Sequence, residues 1–260
     1  MSKQGLMLLT VCLILFSVNS VLAQDFNVIA GYYYLDINPD LNKYIEKYND
    51  YIERRISEDE SWGITFTKKE INRLDKIKNA TGYYLGLSTK LSNLISNGKK
   101  EISFTTQYES FSSTKHGSLY TEWTEPGDES GITNAQINTG IKVNGLYGGV
   151  LYKLNNYLDL TGGVGYYRGQ LDINGHFEIT GLPREELNYD TSLKGTVGYK
   201  IGARLNYQLS EHFSLLGSVN YRSLVMELAE EIERDSPVET SISKVDLSGL
   251  EGKLGLSYRF

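Results

Sequence analysis

The chain has 260 residues, a net charge of −6 and a mean hydropathy of −0.33, with 20 Tyr against four Pro. After the N-terminus no uncharged apolar run reaches the roughly 18 residues of a spanning helix. That excludes a helical membrane protein, but not a membrane β-barrel, whose alternating strands average out as mildly hydrophilic. The acidic balance argues against nucleic acid as a partner.

Residues 1–23 read as a signal peptide: Lys3 gives the charged start, Leu6 to Phe16 the apolar core, and Val21-Leu22-Ala23 the residues before a cut at Gln24. The apolar stretch is too short to serve well as an anchor, and Cys12 follows Val11 rather than a small residue, which rejects a lipoprotein site. Cleavage near Ala23 removes the single Cys, and with it any disulfide or thiolate chemistry. It also removes Lys3, so the mature chain carries 25 basic against 32 acidic residues, a net charge of −7.

Period-two alternation dominates the mature part, 24–260. Strands are expected over 26–36, 81–93, 100–112, 136–153, 157–171, 192–209, 213–226 and 244–260. In the last, Leu250, Gly252, Leu254, Leu256, Tyr258 and Phe260 share one face, while Glu251, Lys253, Ser257 and Arg259 share the other. These strands outrun the ~5–6 residues usual in soluble sheets. Their apolar faces end in Tyr and Phe and their polar faces are rich in Gly, Asn, Lys and Arg, as a lipid-facing wall around a narrow lumen requires. The connections 94–99, 154–156 and 210–212 are short; 37–80, 113–135, 172–191 and 227–243 are long. The fold expected is therefore all-β: an eight-stranded antiparallel transmembrane barrel with short periplasmic turns, long external loops and both termini in the periplasm.

The first external loop, 38–79, is expected to carry two helices. Leu41, Tyr44, Ile45, Tyr48, Ile52 and Ile56 follow helical spacing behind Pro39 and a capping Asp40; Thr67 and Glu70 make a capping-box pattern ahead of Ile71, Leu74 and Ile77. The predicted cap would cover the external mouth, with Trp62 and Phe66 near its bend. The stripe Tyr44, Ile45, Tyr48, Ile52 and Ile56 would either seal the barrel or meet an extracellular partner.

The signal peptide, the alternating strands and the closing Leu254-Gly255-Leu256-Ser257-Tyr258-Arg259-Phe260 resemble the small eight-stranded outer-membrane barrels of the OmpA and OmpX type. The resemblance covers the whole mature chain and implies a monomeric barrel in outer-membrane lipid, with no cofactor. It also implies that Phe260, Tyr258 and Leu256 form the signal read by the barrel-assembly machinery. The long helical first loop departs from that pattern.

The inward faces should hold Glu101, Gln107, Glu109, Lys142, Lys200, Arg204, Arg222, Glu251 and Lys253. In a barrel just wide enough for side chains, these charges must pair, so a structural ion-pair network is expected ahead of a narrow ion or solute path. Three His remain. His212 reads as a solvated turn residue and His176 lies in the third external loop beside Phe177. His116 is followed two positions later by Ser118. That spacing is also found in lipid A deacylases, which are small barrels, and a strand would put both side chains on one face; Glu109 and Glu122 are the nearby acids. Asp36, Asn38 and Asp40 begin like a calcium loop, but Leu41 and Lys47 stand where Gly and Glu are needed. Glu227, Glu230, Glu231, Glu233 and Asp235 form an acidic rim. A non-enzymatic surface barrel is the leading expectation, with a lipid A-modifying enzyme and a narrow channel as alternatives.

Overall fold

A computed structural model describes residues 26–90, 101–127, 129–230 and 242–260. The expected signal peptide, the turn 94–99 and Glu231, Glu233 and Asp235 lie outside the described residues. The elements, in chain order, are β1 (Phe26–Asp36), α1 (Leu41–Ser61), β2 (Thr65–Asn72), β3 (Asn79–Lys90), β4 (Ile102–Thr124), β5 (Ser130–Lys153), β6 (Leu158–Ile179), β7 (Glu185–Gln208), β8 (Phe213–Ser223), β9 (Val225–Glu227), β10 (Lys244–Asp246) and β11 (Gly249–Arg259). Eight of these strands, β1, β3, β4, β5, β6, β7, β8 and β11, form a closed antiparallel ring. β1 seals it against β11 from Asn27↔Arg259 to Leu35↔Glu251.

Apolar alternation directs the wall outward. Val197, Tyr199, Ile201, Leu205 and Tyr207 of β7 are exposed, as are Leu254, Leu256 and Tyr258 of β11 and Phe260 just past it. Two aromatic girdles bound this apolar band. Tyr34, Tyr83, Tyr108, Tyr166, Tyr199 and Tyr221 mark one edge; Tyr157, Tyr207, Phe213, Tyr258 and Phe260 mark the other, at the end that carries Phe26, Phe260 and the short turns at 154–157 and 209–212. The seam is locked at that edge: the Phe260 N–H donates to the Phe26 carbonyl at 3.1 Å, and the Phe260 ring meets Tyr258 edge-on at 4.9 Å. Glycines make room for interior aromatics. A Cβ at Gly145 would lie 2.2 Å from the Tyr167 ring, and one at Gly255 would lie 2.2 Å from the Tyr84 hydroxyl.

β4, β5, β6 and β7 are 23, 24, 22 and 24 residues long, about twice the ~9–11 needed to cross a bilayer. The expected loops 113–135 and 172–191 are therefore mostly strand, since β4 runs to Thr124, β5 begins at Ser130, β6 runs to Ile179 and β7 begins at Glu185. Their sequence looks like loop because the polarity of the alternation inverts beyond the upper girdle. There Ile137, Ile141, Leu171, Ile173 and Leu193 point inward and are buried, while Asn138, Gln170 and Asn174 face out. Above the membrane band the outer face meets water, so the wall follows the rule of a soluble sheet, apolar within.

The expected second helix is also a strand. β2 pairs with β4 from Thr65↔Thr124 to Asn72↔Ser118, and β3 continues down the same edge from Thr81↔Ser112. Thr67, placed at the start of that helix, donates its hydroxyl to the Glu122 carbonyl across the sheet. Between β2 and β3, residues 73–78 leave the ladder and tuck Leu74 and Ile77 inside; a Cβ at Gly117 would come within 3.0 Å of Leu74. At the start of α1, Asp40 occupies the N-cap position but makes no side-chain cap, its carboxylate instead accepting from Lys43 Nζ at 3.0 Å.

Candidate functional site: a lumen closed in tiers

The interior changes character from one end of the barrel to the other. At the turn end a polar vestibule of about 150 Å³ opens to solvent, lined by Ser88, Lys90, Glu101, Lys153, Asp159 and Arg204 among others. Here Lys153 pairs with Glu101 at 2.8 Å and Arg204 with Asp159 at 2.7 Å. Buried Ile29 and Leu216 stand at the vestibule's inner end.

Beyond them lies a cluster of five charges. Glu109 of β4 and Glu251 of β11 are fully buried and are shared by Lys200 of β7, Arg222 of β8 and Lys253 of β11. Arg222 donates to Glu109 at 3.1 Å, and Lys253 bonds Glu109 at 2.6 Å and approaches Glu251 at 3.3 Å. Lys200 reaches Glu251 at 3.2 Å and bonds Glu109 as well. The Tyr167 hydroxyl donates to Glu109 at 3.0 Å, and Lys253 also donates to the Gln107 amide oxygen at 2.9 Å. Aromatic rings enclose the cations: the Arg222 guanidinium lies 4.7 Å from the Phe111 centroid and 5.3 Å from that of Tyr167, and Lys200 Nζ lies 4.8 Å from Tyr147. Three cations face two carboxylates, and Arg222 Nε and Nη1 find no hydrogen-bond acceptor among the described residues. The cluster is thus held by Coulomb attraction and ring faces more than by a complete hydrogen-bond set.

Above the cluster the lumen is apolar. Leu35, Ile37, Leu41, Tyr44, Ile45, Leu74, Ile77, Leu171 and Leu247 belong to one buried core that includes Tyr33, Phe111 and Tyr167. α1 is therefore seated inside the wall. A polar seam fixes it there. Asn42 donates to the Ile77 carbonyl at 2.8 Å and accepts from the Ile77 N–H at 2.7 Å. Asn49 repeats this with Leu74, both bonds at 3.0 Å. Glu46 pairs with Lys76, and Glu53 accepts from Arg73 Nε at 2.7 Å. Residues 42, 46, 49 and 53 lie on one helical face, so the helix supplies side-chain partners to a segment that has left the β-ladder. Burial, with Tyr44 and Tyr51 nearby, pushes the Tyr48 hydroxyl up to about 12.

The structure brings Glu109, Lys200, Arg222, Glu251 and Lys253 together, whereas Glu101 and Arg204 form separate pairs in the vestibule. Lys142 is not in the lumen. It is exposed on the outer face of β5, opposite Ser112 and Gln170, because this stretch lies beyond the polarity inversion and Ile141 and Val143 take the inward positions. The stripe Tyr44, Ile45 and Ile56 is buried, and Tyr48 and Ile52 pack partly buried beside it, so the stripe faces the barrel's own wall instead of a partner. Leu256, Tyr258 and Phe260 form the outward row at the seam. His116 and Ser118 share the outer face of β4, but His116 Nδ1 is bonded to Asn138 and Ser118 Oγ accepts from Asn72 at 3.0 Å. Glu109 is on the opposite face, in the buried cluster, and Glu122 accepts from Tyr120 at 2.9 Å. His212 stacks on Tyr258, 5.8 Å between centroids. Among the described residues no group of three or more His, Cys, Asp or Glu could hold a metal ion. The sequence reading missed Asp159 and Lys153 as counter-ions, Tyr167 as a bridge, and the Asn42/Asn49 seam. The last had a signal: two asparagines seven apart beside a helix's apolar stripe.

A closed antiparallel ring of eight strands, with an apolar outer band between two aromatic girdles, defines a bacterial outer-membrane β-barrel. The chain belongs to the family described as outer membrane protein beta-barrel domain, whose model matches residues 74–260. Among solved structures it is similar to the outer membrane protein OprG from Pseudomonas aeruginosa, at 13% identity and a TM-score of 0.45 over 92% of this chain and 96% of that one. It is also similar to Ail, the attachment invasion locus protein of Yersinia pestis, at 14% identity and a TM-score of 0.36 over 91% and 98% of the two chains. A third is the outer membrane protease OmpT from Escherichia coli, at 10% identity and a TM-score of 0.37 over 92% and 97%. A search of the curated proteins finds no match.

Proposed function

We propose that this outer-membrane barrel is a sealed, non-enzymatic surface protein, whose work lies in stabilising the envelope and in what its cap end presents outside the cell. The observation that carries this reading is the double closure of the lumen: a buried five-charge cluster, then an apolar core completed by α1. An ion entering from the vestibule would have to break the cluster and then cross an apolar interior. The short turns at 154–157 and 209–212 sit at the end that carries Phe26 and Phe260, so that end is assigned to the periplasm and α1 to the exterior. Apolar side chains stand in water at the exterior end: Trp62 is 68% exposed, Leu182 61% and Leu187 46%. Leu182 and Leu187, near the tip of the β6–β7 hairpin, are better placed to meet an extracellular partner than the helical stripe, which is spent on internal packing. His116 and Ser118 are poorly arranged for hydrolysis, since Asn138 occupies the one and Asn72 the other. Planar-bilayer recording tests the proposal. The expected outcome is no stable current; a reproducible open channel of porin size would refute it.

A further inference from the structure

We propose that the outer wall of β5, β6 and β7 carries a binding patch for the phosphorylated headgroups of outer-leaflet lipid, formed by Lys142, Arg168 and Lys194. All three side chains are exposed and lie just beyond the upper aromatic girdle. Arg168 is two residues past Tyr166; its guanidinium lies 5.5 Å from that ring's centroid and its Nε 3.4 Å from the hydroxyl. Arg168 faces outward by plain alternation with Tyr166, and the β6–β7 register shifts between Tyr167 and Gly169, which leaves Lys194 and Gly195 of β7 as a bulge opposite Arg168 with both exposed. Lys142 is opposite Gln170 of β6, and Leu193, beside Lys194, is opposite Gly169. The three cations are therefore neighbours on adjacent strands. Lys142 makes no ion pair among the described residues, and the single partner of Lys194 is the exposed Glu227 at 3.3 Å.

On β1, β3, β4 and β8 the outward residues past the girdle include Asp36, Thr81, Ser112 and Ser223, none of them basic. Positive charge is thus gathered on one flank, at the depth where a bilayer's phosphates begin, on a chain that is acidic overall. Basic side chains beside an anionic membrane surface are attracted to it, and a guanidinium fits a phosphate through paired N–H donors. Asp172 and Asp190, directly opposite each other, stand further from the membrane, both held by the Gln170 amide at 2.8–3.0 Å. They bound the patch on its solvent side and would repel a phosphate placed higher.

The test uses the full mature chain refolded into nanodiscs of phosphatidylcholine doped with a minor fraction of lipid A, with co-purifying lipid counted by mass spectrometry. Enrichment of lipid A around the protein, several-fold over the input, is expected at low salt, with none for dephosphorylated lipid A. The triple variant K142Q/R168Q/K194Q should return the ratio to the input value. These side chains lie outside the buried cluster, and heat-modifiable mobility checks that the variant folds. Equal enrichment of the dephosphorylated lipid, or unchanged enrichment by the folded triple variant, would overturn the proposal. The lipid comparison needs only the unaltered protein. A symmetric disc does not depend on which end faces outward, so this result is separate from the conductance test of the sealed lumen.

Discussion

The buried cluster yields an asymmetric prediction. Glu109 is contacted by all three cations, and Glu251 is the only other carboxylate among them. In Glu109→Gln three buried cations share one carboxylate, and the Tyr167 hydroxyl loses a charged acceptor. Breaking buried ion pairs in this way costs about 3–5 kcal/mol. In Arg222→Met two cations face two carboxylates, and the cluster becomes neutral. That variant also removes Nε and Nη1, two buried donors already without acceptors, each a burden of about 1–3 kcal/mol in the native protein. Against this stand the lost attractions of Arg222 to Glu109 and Glu251 and its contacts with Phe111, Tyr33 and Tyr167. Arg222→Met should therefore cost less than half of what Glu109→Gln costs. Urea titration of the barrel folded in phosphatidylcholine vesicles, read as the fraction with heat-modifiable mobility, gives both values. If Arg222→Met proves as damaging as Glu109→Gln, charge balance does not govern the cluster, and the ring contacts of Arg222 must dominate.

Other outcomes follow from the cap and the seam. Asn42→Ala leaves the Ile77 N–H and carbonyl buried without their partner, so the cap should loosen by about 1–3 kcal/mol per unpaired group, seen as faster proteolysis within 41–61 while the barrel core stays resistant. The Tyr48 hydroxyl titrates near 12 when the cap is docked and near 10 when it is free, so its contribution to stability falls as pH rises from about 10 to about 12. Fluorescence of Trp62 and Trp123 should report that alkaline loosening, and Tyr48→Phe should weaken it; an identical profile in the variant would assign the loss to other groups. Phe260→Asp puts a charge at the girdle where β11 meets β1 and should lower the heat-modifiable, assembled fraction; normal assembly would show that the terminal aromatic matters little.

The membrane-spanning half of the protein was open to reading because its physics is uniform. Lipid outside and a narrow lumen inside impose one alternation, and β1 was bounded to the residue at Phe26–Asp36. The extra-membrane half was not. There Ile137, Ile141, Leu171 and Ile173 keep the same period of two, but the solvent has changed sides. A rule that assigns apolar residues to the outer wall puts Lys142 in the lumen, though it points to water. The segment 65–72 misled for a different reason. Thr67 and Glu70 satisfy a local capping pattern, but pairing with β4 supplies every residue from Lys68 to Asn72 with a cross-strand neighbour, and that long-range partner is invisible in a local window.

The two halves depend on each other through α1. Lipid can cover the outer wall of the lower barrel, yet nothing in the membrane can cover the inward apolar face of the extended β4–β7 wall, which would otherwise stand in water. α1 buries Leu41, Tyr44, Ile45 and Ile56 against that wall, and Asn42 and Asn49 bind it to the backbone at 74 and 77. The helix that separates this chain from a minimal eight-stranded barrel is thus the element that lets four strands rise well beyond the bilayer. Its removal should leave the girdled band and the charge cluster assembled, but should expose the wall's apolar inner face and make residues 113–124 and 130–137 the first targets of an added protease. Deletion of 40–78, which takes β2 away as well, followed by limited proteolysis of the refolded barrel, would show it; a wall that stays resistant would mean that pairing along β4 and β5 alone holds it up.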